Sequence, residues 1–236
     1  MIVTNKPSSR LRTILDVAST IAIVVACAVV VGRMWGSRPS GPTPAKSFEL
    51  PISPVTLEGA TMRGDKTAPV GFVLFSEFQC PFCGRLASEV MPTLISTYVD
   101  TGKVLLAFRQ FPLDNHRAAA GAAQLSICAE SAGLFWKVHD AFFLQPTAKT
   151  DGDFRSRATS AGLGSAQIAD CEQNEGARLR VSKDLELAKA LGVRSTPTVI
   201  IGRLEKGQVI AREGLVGARP VADFERAVEK VLASSK

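Results

Sequence analysis

Histidine is scarce in this 236-residue chain, which limits the metal sites that it can form. Only two are present, His116 and His139, and neither lies near the Cys-x-x-Cys motif in the sequence. A four-ligand zinc site needs further cysteines or histidines at suitable spacing. The chain has no second Cys-x-x-Cys and no His-x-x-x-His. We therefore predict no metal site and no bound cofactor.

Blocks of like charge are also lacking. The net charge is +6, but the basic residues are spread along the chain and do not interleave with its few aromatics. A nucleic-acid surface would concentrate both on one face. The composition therefore favours a mildly basic solvated surface and no nucleic-acid partner. The apolar content, 46%, suffices for the core of one domain of ordinary size with an N-terminal extension.

An apolar stretch near the N-terminus predicts a membrane anchor. Residues 17–32 form an almost uninterrupted apolar run, which Ile14 and Leu15 extend to a length that can span a bilayer. Trp35, just after the run, suits the membrane–water interface. A Pro- and Ser-rich stretch follows, and its composition predicts a semi-extended spacer. We expect a retained signal anchor.

Two alternatives for this segment stay open. A cleaved secretory signal would need a small-residue site after the run, but Ala26-Cys27-Ala28 lies inside it. A lipoprotein would carry lipid on Cys27, yet residues 28–31 remain apolar. All three interpretations export the body of the chain, where the other four cysteines can form disulfides.

A strand–helix–strand unit is predicted between residues 70 and 108. Residues 70–75 and 104–108 are short apolar runs of the kind buried in a sheet. Between them, Leu86, Val90 and Leu94 recur at the four-residue spacing of an amphipathic helix. These lengths favour parallel strands joined by a right-handed crossover.

The rest of the domain predicts helices first and strands afterwards. Residues 116–191 are periodic and Ala-rich, with breaks at glycines and a proline and no convincing strand. Strands return at 198–201 and 208–211, joined through Lys206-Gly207, and a last helix covers 220–232. The fold class is therefore α/β with a helical insertion. The predicted organisation is a cytoplasmic N-terminus at 1–13, a transmembrane signal anchor at 14–32, a Pro-rich spacer at 33–54 and an exported domain at 55–236, its insertion at about 114–190.

The motif Cys80-Pro81-Phe82-Cys83 lies where the first of these strands ends and a helix begins. Unpaired N–H groups and the dipole at a helix N-terminus favour a thiolate over a thiol. Cys80 is expected to be the exposed attacking sulfur, and Cys83, one turn inward, its buried partner. A permanent disulfide across so small a loop would constrain the unfolded chain little. We interpret the two cysteines as a redox-active pair.

Two segments together carry a family resemblance. Residues 78–83 (FQCPFC) and residues 192–198 (GVRSTPT) resemble the thioredoxin superfamily, and the helical insertion between them is similar to DsbA-like thiol–disulfide oxidoreductases. The resemblance implies a thioredoxin-like fold in which Pro197 is a cis-proline facing the sulfurs. It also implies that the backbone of Thr196 pairs with a substrate peptide like an added strand. Glu77, three residues before Cys80, is either a proton relay to Cys83 or a solvated loop carboxylate.

The function implied by this resemblance is a disulfide-forming oxidase. Its substrates would be reduced exported proteins, and a quinone-linked membrane protein would reoxidise it. The domain would lie outside the cytoplasmic membrane, anchored by the N-terminal helix. Strong oxidants of this branch resemble Cys-Pro-His-Cys, whereas Phe82 stands at that position here. A reductase or isomerase on the same fold, and a non-catalytic thioredoxin-like chaperone, remain the alternatives.

Cys128 and Cys171 lie in the helical insertion, far apart in the sequence. A disulfide between them would stabilise the fold by about 4 kcal/mol through the entropy of the unfolded chain. It would also leave no unpaired thiol in the exported domain apart from the redox pair. The alternative is two small buried apolar residues.

Overall fold

The computed structural model describes residues 48–144 and 150–234, together with residues 22, 23, 26, 27 and 29. The chain divides into two compact units, Met1–Ala45 and Lys46–Lys236, and the second carries the α/β domain. Most of the predicted anchor at 14–32 lies outside the described residues. The five residues of it that are described are helical. Among the residues that are described, no helix is both long and apolar enough to cross a membrane.

A six-stranded mixed sheet forms the centre of the domain, in the order β1-β6-β5-β3-β4-β2. Strands β3 and β4 are parallel, as the strand–helix–strand pattern predicts, whereas β5 pairs antiparallel with β3 and β6 pairs antiparallel with β5. Two short edge strands were not predicted, because two or three residues are too few to show alternation. The strands are β1 (Val55–Thr56), β2 (Thr61–Arg63), β3 (Val70–Ser76), β4 (Val104–Gln110), β5 (Thr198–Glu205) and β6 (Gln208–Val216).

The β5–β6 hairpin turns at the two residues predicted for it. Lys206 and Gly207 have φ angles of 49° and 76°. Positive φ at both central residues is the conformation of a type I′ turn, whose twist matches that of the flanking strands. Glycine adopts it without steric penalty, which explains its place in this turn.

A long helix, α1, follows β3 and carries the Cys-x-x-Cys motif at its start. It consists of the consecutive segments Pro81–Arg85, Leu86–Val90, Met91–Leu94 and Ile95–Val99, of which the second and fourth are π-helical. Pro92 has no N–H to donate to the preceding turn, so the regular α-helical pattern is interrupted there. The helix nevertheless continues to Val99, in agreement with the predicted amphipathic segment.

The described part of the predicted insertion consists of helices joined by turns, with a short 3-10 helix at Ala129–Ala132. Its first helix starts at Ala119, later than predicted, which leaves His116 in the preceding turn. A capping box at Thr150 and Asp153 starts one of the later helices. The helices are α2 (Ala119–Cys128), α3 (Phe135–Phe143), α4 (Asp151–Ser160), α5 (Ser165–Glu172) and α6 (Glu175–Ala190), and α7 (Val221–Ala233) ends the domain.

Both faces of the sheet are buried. Because side chains alternate along a strand, Phe72 and Leu74 of β3 belong to one apolar cluster and Val73 and Phe75 to another. The first cluster includes α1, α7 and most of the insertion, and the second includes the end of α6. The predicted fold class, α/β with a helical insertion, is confirmed for the described domain.

A disulfide joins Cys128 to Cys171, the pairing expected from the sequence. The sulfurs are 2.06 Å apart and the Cα atoms 5.8 Å apart. The bond crosslinks the end of α2 to α5. The side-chain amide of Gln124 donates to the Cys171 carbonyl beside it. The insertion is thereby held together by a covalent bond as well as by packing.

A buried ion pair ties the insertion to the sheet. Arg109 of β4 donates from Nη1 to Asp184 Oδ1 of α6 at 2.7 Å, and the two side chains are 3% and 2% exposed. Asp184 Oδ2 accepts the Gln110 N–H at 2.9 Å. Arg109 Nη2 donates to the carbonyls of Thr56 and Glu58, both at 2.7 Å. The pair therefore joins β1, β4 and α6 at one point.

Candidate active site

The Cys-x-x-Cys motif lies at the strand–helix junction that the sequence predicts. Strand β3 ends at Ser76, and Cys80 is the N-cap residue of α1 with Pro81 in the first turn. The Gly84 N–H donates to the Cys80 carbonyl at 3.1 Å, which closes the first helical turn. Both Cys80 and Cys83 are free thiols in the structure, so it shows the reduced state. Within the described ranges, no three His, Cys, Asp or Glu side chains are grouped closely enough to hold a metal ion.

The two sulfurs differ less in exposure than expected. Cys80 is 5% exposed and Cys83 1% exposed, so the prediction of an exposed Cys80 was wrong. The reason is a segment distant in sequence that lies against the motif. Cys80 Sγ is 3.5 Å from the carbonyl oxygen of Thr196. Cys80 is nevertheless the less buried sulfur, at the outer end of the helix.

The chemical difference between the sulfurs is large. A hydrogen bond from the Cys83 thiol, with further ones from the Thr196 side chain and from the Cys83 and Phe82 N–H groups, lowers the pKa of Cys80 to about 5 although burial opposes it. Burial raises the pKa of Cys83 well above its usual value, and the neighbouring Cys80 thiolate raises it further. The Ser76 hydroxyl and the Glu77 N–H act more weakly in the other direction. The reduced pair is therefore a thiolate at Cys80 and a thiol at Cys83.

The Thr196–Pro197 peptide bond is cis, and the segment around it is held by a hydrogen bond within it and by one from Gly217. The Pro197 carbonyl accepts the Gly217 N–H at 2.8 Å, and the Thr198 hydroxyl donates to the Ser195 carbonyl at 2.7 Å. Thr196 itself is 7% exposed, and among the described residues its hydroxyl has no hydrogen-bond partner other than the Cys80 sulfur. That hydroxyl is free to donate to Cys80 when the sulfur is a thiolate.

Glu77 is completely buried, at 0% exposure, so the alternative of a solvated loop carboxylate was wrong. Its Oε2 accepts the Gln79 N–H at 2.7 Å, and its Oε1 forms a hydrogen bond with His116 Nδ1. Burial raises the pKa of Glu77 and the nearby Cys80 charge adds to this, whereas the Gln79 N–H and His116 lower it. The Glu77 backbone, rather than its carboxyl group, provides the hydrogen bond to Cys83.

His116 is the residue of this site that sequence reasoning missed. It lies 39 positions after Glu77, in the turn that precedes α2, and its N–H donates to the Leu113 carbonyl at 2.9 Å. Next to it, the Ala118 N–H donates to Gln79 Oε1 at 2.7 Å. Nothing in the local sequence pairs these positions, because the contact forms only when the insertion packs on the motif.

An aromatic cluster supports the loop before Cys80. The ring centre of Phe78 is 5.8 Å from that of Phe108 and 5.0 Å from those of Phe142 and Phe143. Phe78 thereby links β4 and α3 under the motif, at distances typical of favourable aromatic pairs. Beside the cluster, a cavity of about 320 Å³ between α1 and α3 reaches Cys83.

The outer face of the motif is an exposed aromatic ring. Phe82 is 48% exposed, and the Arg85 guanidinium lies over its ring at 4.8 Å from the centroid. A cation over an aromatic face is a favourable arrangement. Because Phe82 carries no ionisable group, the two residues between the cysteines add no charge to the site.

Known proteins resemble this chain over more than half of its length. A family model described as thioredoxin matches residues 56–216. The crystal structure of α-DsbA1 from Wolbachia pipientis aligns with a TM-score of 0.69 and 24% identity, covering 77% of this chain and 94% of that one. The probable disulfide bond formation protein D of Bacillus cereus is 28% identical over 146 residues, which are 58% of this chain and 68% of that protein.

A further relative is much longer than this chain. The Na(+)/H(+) antiporter NhaA 3 of Salinispora tropica is 29% identical over 156 residues, 65% of this chain but 23% of the antiporter. Because so little of the antiporter is matched, its name says nothing about transport here. The region matched by the thioredoxin family model, residues 56–216, includes the Cys80–Cys83 pair and the cis-Pro197 loop. The chain therefore belongs to the thioredoxin family and has the fold of the DsbA-type thiol–disulfide oxidoreductases.

Proposed function

We propose that this protein is a membrane-anchored thiol–disulfide oxidase that introduces disulfides into exported proteins through Cys80 and Cys83. The observation that carries the proposal is the asymmetry of the two sulfurs. The pKa of Cys80 is lowered to about 5, whereas that of Cys83 is raised by burial. A dithiol whose reduced form is stabilised in this way makes its disulfide a strong oxidant. The difference between the two pKa values thus favours electron flow from substrate to enzyme.

The proposed reaction has two exchange steps. A substrate thiolate attacks Cys80 Sγ of the oxidised enzyme, which forms a Cys80–substrate disulfide and breaks the Cys80–Cys83 bond. The electron pair of the broken bond goes to Cys83, which takes up a proton because its pKa is raised. A second substrate thiolate then attacks the substrate sulfur, and Cys80 leaves as a thiolate. The substrate gains a disulfide and the enzyme keeps two electrons.

Substrate binding would use the cis-proline loop. In the proposal, the backbone of Thr196 pairs with an extended substrate segment, and Pro197 fixes the direction of that backbone. The position of Thr196 against Cys80 supports this role. Glu77 would supply or accept the proton of the Cys83 step, supported by its buried carboxyl group beside the motif. A quinone-linked membrane protein would take the two electrons from the reduced pair.

The proposed location is outside the cytoplasmic membrane, with residues 14–32 as the anchor. Support comes from the Cys128–Cys171 disulfide, because such crosslinks persist in oxidising compartments. Reduced exported proteins would meet the domain there. A cleaved signal or a lipid on Cys27 would place the domain in the same compartment, so the proposed reaction does not depend on the choice.

The test is the redox equilibrium of the purified full-length protein with glutathione. We expect a potential well above that of thioredoxin, which is about −270 mV. Cys80→Ser should abolish oxidation of a reduced peptide, Cys83→Ser should accumulate mixed disulfides, and Cys27→Ser, which removes a thiol far from the motif in sequence, should behave as wild type. A potential near that of thioredoxin would favour a reductase or isomerase. Full activity of Cys80→Ser in cells would favour a chaperone.

A further inference from the structure

The carboxyl group of Glu77 is buried, and the ionisable side chain of His116 is hydrogen-bonded to it. Its side chain has no exposed surface, and its two oxygens are used by the Gln79 N–H, at 2.7 Å, and by His116 Nδ1. Burying an ionised carboxylate is unfavourable unless it is paired and hydrogen-bonded. The backbone N–H satisfies one oxygen but brings no full charge. The imidazole of His116 can balance the carboxylate when the ring is protonated.

His116 is held so that it connects this carboxylate to solvent. Its side chain is 24% exposed, whereas that of Glu77 is 0% exposed. The His116 N–H donates to Leu113, and its carbonyl accepts the Ala119 N–H at 3.0 Å. The neighbouring Ala118–Gln79 hydrogen bond fixes the same segment to the loop that leads to Cys80. One edge of the imidazole therefore faces the buried carboxylate while part of the ring reaches water.

The charges of Glu77 and His116 affect the thiol–thiolate equilibrium of Cys80. The titratable groups that interact with Glu77 are His116, from the segment after β4, and Cys80, from the start of α1. The Glu77 carboxylate and the Cys80 thiolate are both negative and disfavour each other. A protonated His116 offsets the carboxylate and so relieves this repulsion. Phe82 cannot do so, and the other histidine, His139, is bonded to Asp140 instead.

We propose that His116 is a positioning residue for the redox pair, acting through its contact with buried Glu77 to balance the carboxylate and thereby favour the thiolate form of Cys80. The inference rests on the proposed function, since it explains how the pair is kept oxidising with Phe82 between its cysteines. The charge that would favour the Cys80 thiolate thus belongs to a residue outside the Cys-x-x-Cys motif, at the start of the helical insertion.

The experiment is a double-mutant cycle in the reduced full-length protein, read by the ultraviolet absorbance of the Cys80 thiolate as pH is varied. His116→Gln should move the thiol–thiolate equilibrium toward the thiol by on the order of threefold to tenfold. Glu77→Gln, which removes the repelling charge, should move it toward the thiolate. In the Glu77→Gln background, His116→Gln should have no further effect, because the histidine acts only through the carboxylate.

The controls separate this role from a merely structural one. His139→Gln removes the other histidine and should titrate as wild type, and circular dichroism verifies that each variant folds. The proposal is overturned if His116→Gln leaves the Cys80 titration unchanged, or if its effect persists in the Glu77→Gln background. If His116→Gln fails to fold, the Glu77→Gln variant still tests the proposal. An unchanged Cys80 titration in Glu77→Gln would contradict the proposed repulsion between the carboxylate and the thiolate. The Cys80 titration does not depend on whether the enzyme oxidises or reduces its substrates. A negative result for His116 is therefore distinguishable from failure of the oxidase proposal.

Discussion

The sulfur of Cys80 lies 3.5 Å from the carbonyl oxygen of Thr196, although 116 positions separate the two residues. This contact brings the start of α1 against the cis-Pro197 loop and covers the sulfur. It also places the Thr196 hydroxyl, which is otherwise without a partner among the described residues, within reach of the thiolate. The predicted properties of the pair follow from this arrangement.

Removing the Thr196 hydroxyl should weaken the thiolate. In Thr196→Val, the Cys80 pKa should rise above its value of about 5, because one of the hydrogen bonds that lower it is lost. A change on the order of tenfold in the thiolate equilibrium, about 1.4 kcal/mol, is expected. The measurement is the thiolate absorbance as a function of pH. Thr93→Val, at an exposed position of α1, is the control and should leave the Cys80 titration unchanged.

The stability of the reduced protein should depend on pH in a defined window. The pKa of Cys80 is lowered from 9.0 to about 5 on folding, so its contribution to stability is complete above pH 9.0 and is lost as pH falls to about 5. Between these values the reduced form should gain about 1.4 kcal/mol per pH unit relative to the oxidised form, which has no Cys80 thiol. Urea unfolding of both forms measures the difference. A difference that stays constant across the window would contradict the lowered pKa.

Introducing a histidine between the cysteines should make the pair more oxidising. Phe82 is exposed, so Phe82→His leaves the core unchanged and adds a cation beside the thiolate when it is protonated. We expect the equilibrium with glutathione to shift toward the reduced enzyme by on the order of threefold to tenfold. Phe82→Tyr keeps an aromatic ring without the cation and is the matched control. If both variants shift the equilibrium equally, the charge is not the cause.

Breaking the buried ion pair should destabilise the domain. Asp184→Asn leaves the Arg109 charge buried without its partner, at a cost of about 3–5 kcal/mol in the free energy of unfolding. Glu172→Gln breaks a surface ion pair with Arg155, in which the Glu172 side chain is 45% exposed and the Arg155 side chain 51% exposed. This change should lower the free energy of unfolding by about 1 kcal/mol or less. Urea unfolding of both variants provides the comparison. Equal losses would show that burial of the Arg109–Asp184 pair does not matter.

Much of the fold could be predicted because its elements are long and strongly patterned. The apolar runs at 70–75 and 104–108 became β3 and β4, and the four-residue spacing of Leu86, Val90 and Leu94 became α1. Strands β1 and β2 could not be predicted, because they consist of two and three residues and pair only with strands distant in sequence. Their existence depends on edges that the rest of the sheet provides.

The sequence by itself determined the Cys-x-x-Cys pair and its place at a helix N-terminus, because both follow from the spacing of Cys80 and Cys83 and from the pattern on either side. Tertiary structure alone decided how the pair is tuned. Burial of Cys80 by Thr196, burial of Glu77 and the contact with His116 all arise from packing between segments that are distant in the chain. Charge and hydrogen bonding act over a few ångströms, so their effect depends on these contacts and not on the order of residues.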